Sequence, residues 1–329
     1  MPESREPNFF ILGAPKCGTT SLAYWLARHP QVFMPAIKEL DYFNTDIRKA
    51  FTETWPQYQV HYAPALPSHR AVGEASTGYL RSAVAVPAIE ARYPACRYIV
   101  CLRDPVDMAP AWHRQMRFEC WEDVADFPTA WALQAERREG RALPDGCPEP
   151  ANLQYGEVCA LGSQVERLLA HVSAARVRFV LLEDLRDRPR EVYRGVQEFL
   201  GIEDDGRRHF PALNVASDVP RPVARAIRAT ADFKRRHGIR FGFGILTGLN
   251  RIMGKPPRES LPAATRAMLR AFSGPRWKNC NAASAAICRT GSDRQGIPVS
   301  VVTSRTQPEG PGHGDVFDVI LIAQPEESG

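Results

Sequence analysis

Apolar residues gather in short runs separated by stretches with helical periodicity. Asn8 to Leu12 (NFFIL) is apolar, rich in β-formers and closed by Gly13, which predicts a buried strand. Leu22, Trp25 and Leu26 follow at helical spacing within Ser21 to His29, and His29-Pro30 ends that helix. Arg97 to Leu102 (RYIVCL) and Arg176 to Leu182 (RVRFVLL) repeat the pattern. The first leads into Arg103-Asp104-Pro105 and a helical stretch; the second into Glu183-Asp184-Leu185 and a helix from about Pro189 to Leu200. Strands alternating with helices predict an α/β domain with a central, mainly parallel sheet covered on both faces. Between the second and third runs, Pro128 to Glu139 predicts a charged helix, and the Pro/Gly-rich Gly140 to Pro150 a surface loop.

The junction of the first strand and helix is the loop Gly13-Ala14-Pro15-Lys16-Cys17-Gly18-Thr19-Thr20. A helix N-terminus presents unpaired N–H groups and the positive end of a dipole, so a tight loop feeding it binds phosphate. Gly13 and Gly18 allow close backbone approach, Thr19, Thr20 and Ser21 add hydroxyls, and Lys16 adds a movable positive charge. The loop is P-loop-like without being a Walker A motif. That motif needs GK[ST], whereas here Thr19 follows Gly18 and the lysine stands two positions before the glycine. A nucleoside-triphosphate enzyme also needs acids for Mg²⁺, and no clear second-strand acid of that kind occurs.

The lysine-before-glycine form, PKCGTTSL, resembles the 5′-phosphosulfate loop of sulfotransferases that use 3′-phosphoadenosine 5′-phosphosulfate (PAPS). The resemblance runs over roughly residues 8 to 272 and is closest to the branch containing heparan sulfate sulfotransferase domains and bacterial relatives. Further pieces match in order: Lys38-Glu39-Leu40-Asp41-Tyr42-Phe43, Gly73-Glu74-Ala75-Ser76, Leu102-Arg103-Asp104-Pro105-Val106, and the strand and helix from RFVLLEDL to EFLGI. It implies that Pro15 to Ser21 bind the donor, that Arg103 grips its 3′-phosphate, and that Glu39 is the general base. Arg103 also ends a strand, where doubly wound sheets bind ligands, and a guanidinium suits a phosphate. Arg103 could instead pair with Asp104, and Lys38 and Glu39 could form a solvated loop. Glu74 is a second candidate base; Lys38, Glu74 and Ser76, with Tyr79, are expected on the acceptor side. The family's usual serine eight residues after the arginine is Ala111 here, with His113 or Arg114 as candidate substitutes. PAPS is the implied co-substrate and PAP the product, without a metal. The acceptor implied by the resemblance is a carbohydrate hydroxyl, with a lipid or secondary metabolite close behind. A degenerate P-loop kinase and a nucleotide-binding pseudoenzyme are the alternatives.

Composition adds limits. The 329 residues, 44% apolar and 24% charged, suit an ordinary globular protein. A net charge of +5 is compatible with an anionic ligand but too dispersed to argue for nucleic acid. No run is long enough for a membrane span, and the polar N-terminus lacks a signal-peptide pattern, so a cytoplasmic enzyme is expected. Eight cysteines form no CxxC pair or zinc-ligand spacing, which points away from a metal or a disulfide. Composition sets no oligomeric state.

The domain is expected to span residues 1–273, ending in a helix through Ala263, Met268 and Phe272, with 274–329 an irregular tail. The genetic code permits a specific origin. Read one base out of frame with suitable synonymous codons, PRWKNCNAASAAICRTGS becomes PEVEKLQRRLGRDLSHW and a stop. That is an amphipathic helix, a glycine turn and a terminal tryptophan, as in resembling proteins. A shifted tail would carry no selected structure, and its apolar run Val316 to Ala323 would be an aggregation liability.

Overall fold

Runs that are apolar at every position become strands whose two faces are both covered. In the computed structural model, β1 (Phe9–Gly13) is buried throughout, and β4 (Arg97–Leu102) is buried at every residue but Arg97. The structure describes residues 6–47, 54–145, 147–213 and 261–272, and the backbone of 299–306 and 316–323. The remaining strands of the main sheet are β2 (Val32–Phe33), β3 (Ala71–Ala75) and β5 (Val177–Leu181). All five are parallel, in the order β2-β3-β1-β4-β5. The chain leaves β1 toward β3 on one side and β4 on the other. The carboxyl ends of these central strands therefore flank a switch point, where such sheets form their binding crevice.

Helices cover the faces. They are α1 (Thr19–Leu26), α2 (Trp55–Val60), α3 (Ala85–Arg92), α4 (Pro105–Phe118), α5 (Phe127–Ala132), α6 (Gln134–Arg138), α7 (Tyr155–Val158), α8 (Leu161–His171), α9 (Leu182–Asp187), α10 (Pro189–Leu200) and α11 (263–272). Phe10 anchors one face, its ring within 6.4 Å of those of Phe43, Tyr79, Tyr93 and Tyr98. Burying each such side chain contributes roughly 1.5–3 kcal/mol. Trp25 of α1 packs edge-on against Phe210 at 5.0 Å and donates its indole N–H to the Pro211 carbonyl at 3.0 Å, which closes the chain over α1.

Two elements differ from expectation. The charged helix expected over Pro128 to Glu139 divides into α5 and α6, and Arg137 turns inward. It meets Glu122 in a fully buried pair at 2.6 and 2.8 Å, and the Tyr155 hydroxyl also donates to that carboxylate. Charge at that position seals a junction between helices instead of facing water. Within the expected irregular tail, β6 (Val299–Thr306) and β7 (Val316–Ala323) form an antiparallel pair of their own, consistent with their β-branched content. The other residues of 274–329 lie outside the described residues. Among the described residues, no helix is long and apolar enough to cross a membrane.

Candidate active site

The loop after β1 is pinned from both sides. Gly13 has φ +139°, and a Cβ there would come within 2.7 Å of the Thr77 carbonyl oxygen beyond β3. On the other side the Ala14 amide donates to the Cys101 carbonyl of β4 at 2.7 Å. Gly18 caps α1 in the left-handed region, φ +87°, and a Cβ there would meet Leu185 of α9 at 2.7 Å. No side chain caps α1 and no acid lies in its first turn, so its amides and dipole suit an anion. Pro15, Lys16, Gly18 and Thr20 are half-buried, whereas Cys17, Thr19 and Ser21 are buried. The Cys17 thiol points to the Pro15 carbonyl at 3.4 Å, and burial pushes its pKa well above the ordinary thiol range. Cys17 therefore serves the loop through its backbone. Ser21 Oγ accepts the Leu213 amide at 3.0 Å, tying α1 to the covering segment.

Cations crowd this loop. Lys16 Nζ donates to Gln115 Oε1 on α4 at 3.0 Å. Arg103 Nη1 donates to the Lys16 carbonyl at 3.4 Å, while Asp104 accepts the Val106 amide at 2.8 Å and caps α4. Arg103 is thus turned to the loop and not to Asp104. Burial, then the charges of Arg114 and Arg103, pull the Lys16 ammonium down to about 8, and Glu39 and Glu119 oppose them only in part. The site is short of negative charge. Ala111 is buried on α4. Of its candidate substitutes, His113 points away: it is buried, bonded to the Val124 carbonyl at 2.9 Å and stacked edge-on with Phe127 and Tyr155. Arg114 is exposed and within electrostatic reach of Lys16.

Glu39 reaches the same edge of the sheet from the segment after β2. Its amide donates to the Ala75 carbonyl at the end of β3, at 3.1 Å. Its carboxylate is 42% exposed and accepts from Lys38 Nζ at 2.7 Å and Thr77 Oγ1 at 3.2 Å. Burial pushes the Cys101 thiol on β4 up to about 12, and the nearby Lys38 charge opposes that rise only in part. Glu74 and Ser76, expected beside the acceptor, are instead buried in the core. The Glu74 carboxylate accepts from Tyr58 at 2.6 Å, Tyr79 at 2.6 Å, Ser76 at 2.7 Å and Tyr62 at 3.4 Å. Burial raises its pKa while these hydroxyls work against the rise. A carboxylate so enclosed holds structure and is not placed to take a proton from a diffusing acceptor. Ser76 Oγ and Tyr79 Oη in turn accept the amides of Asp41 and Tyr42 at 3.0 and 2.9 Å, fixing the Glu39 segment from beneath.

Thr77, Gln115 and Glu119 were not among the expected site residues. No local pattern marks them; only the docking of α4 and the β3 end against the loop does. Among the described residues no cluster of side chains could hold a metal ion.

Residues 6–211 match the profile of a family described as "Sulfotransferase domain". The chain is 32% identical over 101 residues to the membrane-associated sulfotransferase kil1 of Dictyostelium discoideum, covering 31% of this chain and 21% of that protein. It is 26% identical over 213 residues to bifunctional heparan sulfate N-deacetylase/N-sulfotransferase 3 of Homo sapiens, covering 60% and 22%. The matches span about a fifth of the length of these curated relatives. A sulfotransferase structure from Alicyclobacillus acidocaldarius is similar at 28% identity and a TM-score of 0.56, over 69% of this chain and 92% of that one.

Proposed function

Because the chain belongs to the sulfotransferase domain family, we propose that it transfers a sulfuryl group from PAPS to an acceptor hydroxyl. A carbohydrate is the favoured acceptor, in keeping with the heparan sulfate named for one relative, ahead of a lipid or secondary metabolite. One observation carries the reading. Lys16 is crowded by burial, Arg114 and Arg103 until its ammonium is held down to about 8, in a loop that leads into an uncapped helix N-terminus. Such a site is unfavourable empty and is relieved by a ligand with several negative charges.

The roles follow from position. The loop amides and Lys16 hold the 5′-phosphosulfate, and Arg103, at the end of β4, serves the 3′-phosphate with Arg114 nearby. The acceptor oxygen attacks sulfur as the bond from sulfur to the phosphate oxygen breaks. Glu39 takes the acceptor proton, and Lys16 stabilises the charge left on the phosphate. The sulfuryl group reaches the acceptor and adenosine 3′,5′-bisphosphate remains.

The direct test has two arms: calorimetric binding of adenosine 3′,5′-bisphosphate, and transfer of labelled sulfate from PAPS to glycan, lipid and phenolic acceptors. Micromolar binding and labelled product are expected. Failure to bind would remove the donor assignment; binding without transfer to any acceptor would leave a nucleotide-binding protein and end the enzymatic reading.

A further inference from the structure

The side chain of Lys16 is not held by the loop that carries it. Its Nζ donates to Gln115 Oε1 at 3.0 Å, and Gln115 Nε2 donates to Glu119 Oε1 at 2.9 Å. Gln115 lies in the last turn of α4 and Glu119 is that helix's C-cap, four residues on and above the same face. A lysine ammonium has donors only, and an ionised carboxylate has acceptors only. The amide between them must present oxygen to the lysine and nitrogen to the glutamate, so chemistry at both ends fixes its orientation.

We infer that Gln115 is a positioning residue, an oriented amide that aims Lys16 into the anion site and relays the negative charge of Glu119 to keep that lysine charged. The inference rests on the reading of Lys16 as a donor-binding cation. Its importance comes from the surroundings. Arg103 at the end of β4 and Arg114 on α4 both disfavour the charged lysine, as does burial; Glu39 and Glu119 favour it. With the balance near 8, a single charge-assisted hydrogen bond decides how much of the cation survives at working pH. Ala111, one turn before Gln115 on the same helix, offers no hydroxyl to share the task.

Calorimetry of adenosine 3′,5′-bisphosphate binding between pH 7 and 10 tests this on the full chain, comparing wild type with Lys16→Met, Gln115→Leu and Gln115→Glu. A lysine is charged below its pKa and neutral above it, so wild-type affinity should fall as pH rises through about 8. Lys16→Met should lack that fall. Gln115→Leu removes an acceptor from the charged form and should move the fall down by roughly one pH unit. Gln115→Glu adds a negative charge beside the ammonium and should move it up. These opposite displacements are not what a merely structural role would give, and they remain readable if one variant folds poorly. A fall at the wild-type pH in both Gln115 variants, or one that persists in Lys16→Met, overturns the relay. No binding by wild type at any pH overturns the donor reading itself.

Discussion

A carboxylate can take a proton from an incoming alcohol only if it is accessible and still basic. Two glutamates at the carboxyl edge of the sheet meet these conditions very differently. Glu39 is partly exposed and shares one carboxylate oxygen with Lys38 and Thr77. Glu74 is enclosed by four hydroxyls in the core. Replacing Glu39 by Gln keeps the shape and removes the basicity. We expect kcat to fall by about 10²- to 10⁴-fold, the usual worth of general-base catalysis. Affinity for adenosine 3′,5′-bisphosphate should change by less than about threefold, because the lost interaction belongs to the transition state and not to donor binding. Steady-state kinetics with a glycan acceptor, paired with calorimetry, separates the two quantities. Retention of full turnover would exclude Glu39 as the base, and a parallel loss of binding would make it a structural partner of Lys38.

At the scale of elements, the β3 end and its buried carboxylate act as a mount. Tyr79 Oη donates to Glu74 and accepts the Tyr42 amide, so one oxygen links the core to the segment carrying Glu39. Tyr79→Phe leaves that amide and one Glu74 oxygen each short of a partner, which should cost about 1–3 kcal/mol. Thermal melting should register the loss, and kcat should fall while bisphosphate affinity holds. A melt and kcat indistinguishable from wild type would show that the mount is redundant. This mount was hard to read in the sequence. β3 is AVGEA, and its glycine and glutamate break the apolar run that made β1, β4 and β5 visible. The partners of Glu74 are spread from Tyr58 to Tyr79, so burial of that acid becomes plausible only once they converge. β2, with two residues, is too short for any periodicity. The loop from Gly13 to Thr20 and Arg103 were legible because each directly follows a continuous apolar strand. Gln115 was not, since its role depends on how α4 docks against that loop.

At the scale of the whole molecule, the five-stranded sheet and α11 form one body, and the last two strands form another pairing. α11 is fastened by Leu269, 2% exposed, by Phe272 edge-on to Trp131 at 5.3 Å, and by Arg266 facing Asp107 at 3.6 Å. A Cβ on Gly156 of α7 would come within 2.8 Å of the Phe272 ring, so a glycine there permits the close approach. β6 and β7 pair with each other and with no strand of the main sheet. Ending the chain after Phe272 should therefore move the melting temperature by less than about 3 °C, equivalent to about 1 kcal/mol, and spare turnover. Leu269→Ala should instead cost about 2–5 kcal/mol, because it opens a cavity under a docked helix. Differential scanning calorimetry of both variants distinguishes the cases. A large loss on truncation would show that 273–329 supports the domain, and would count against a tail translated in a shifted frame. The gene's own codons give an independent check of that origin, since they either do or do not encode PEVEKLQRRLGRDLSHW one base away.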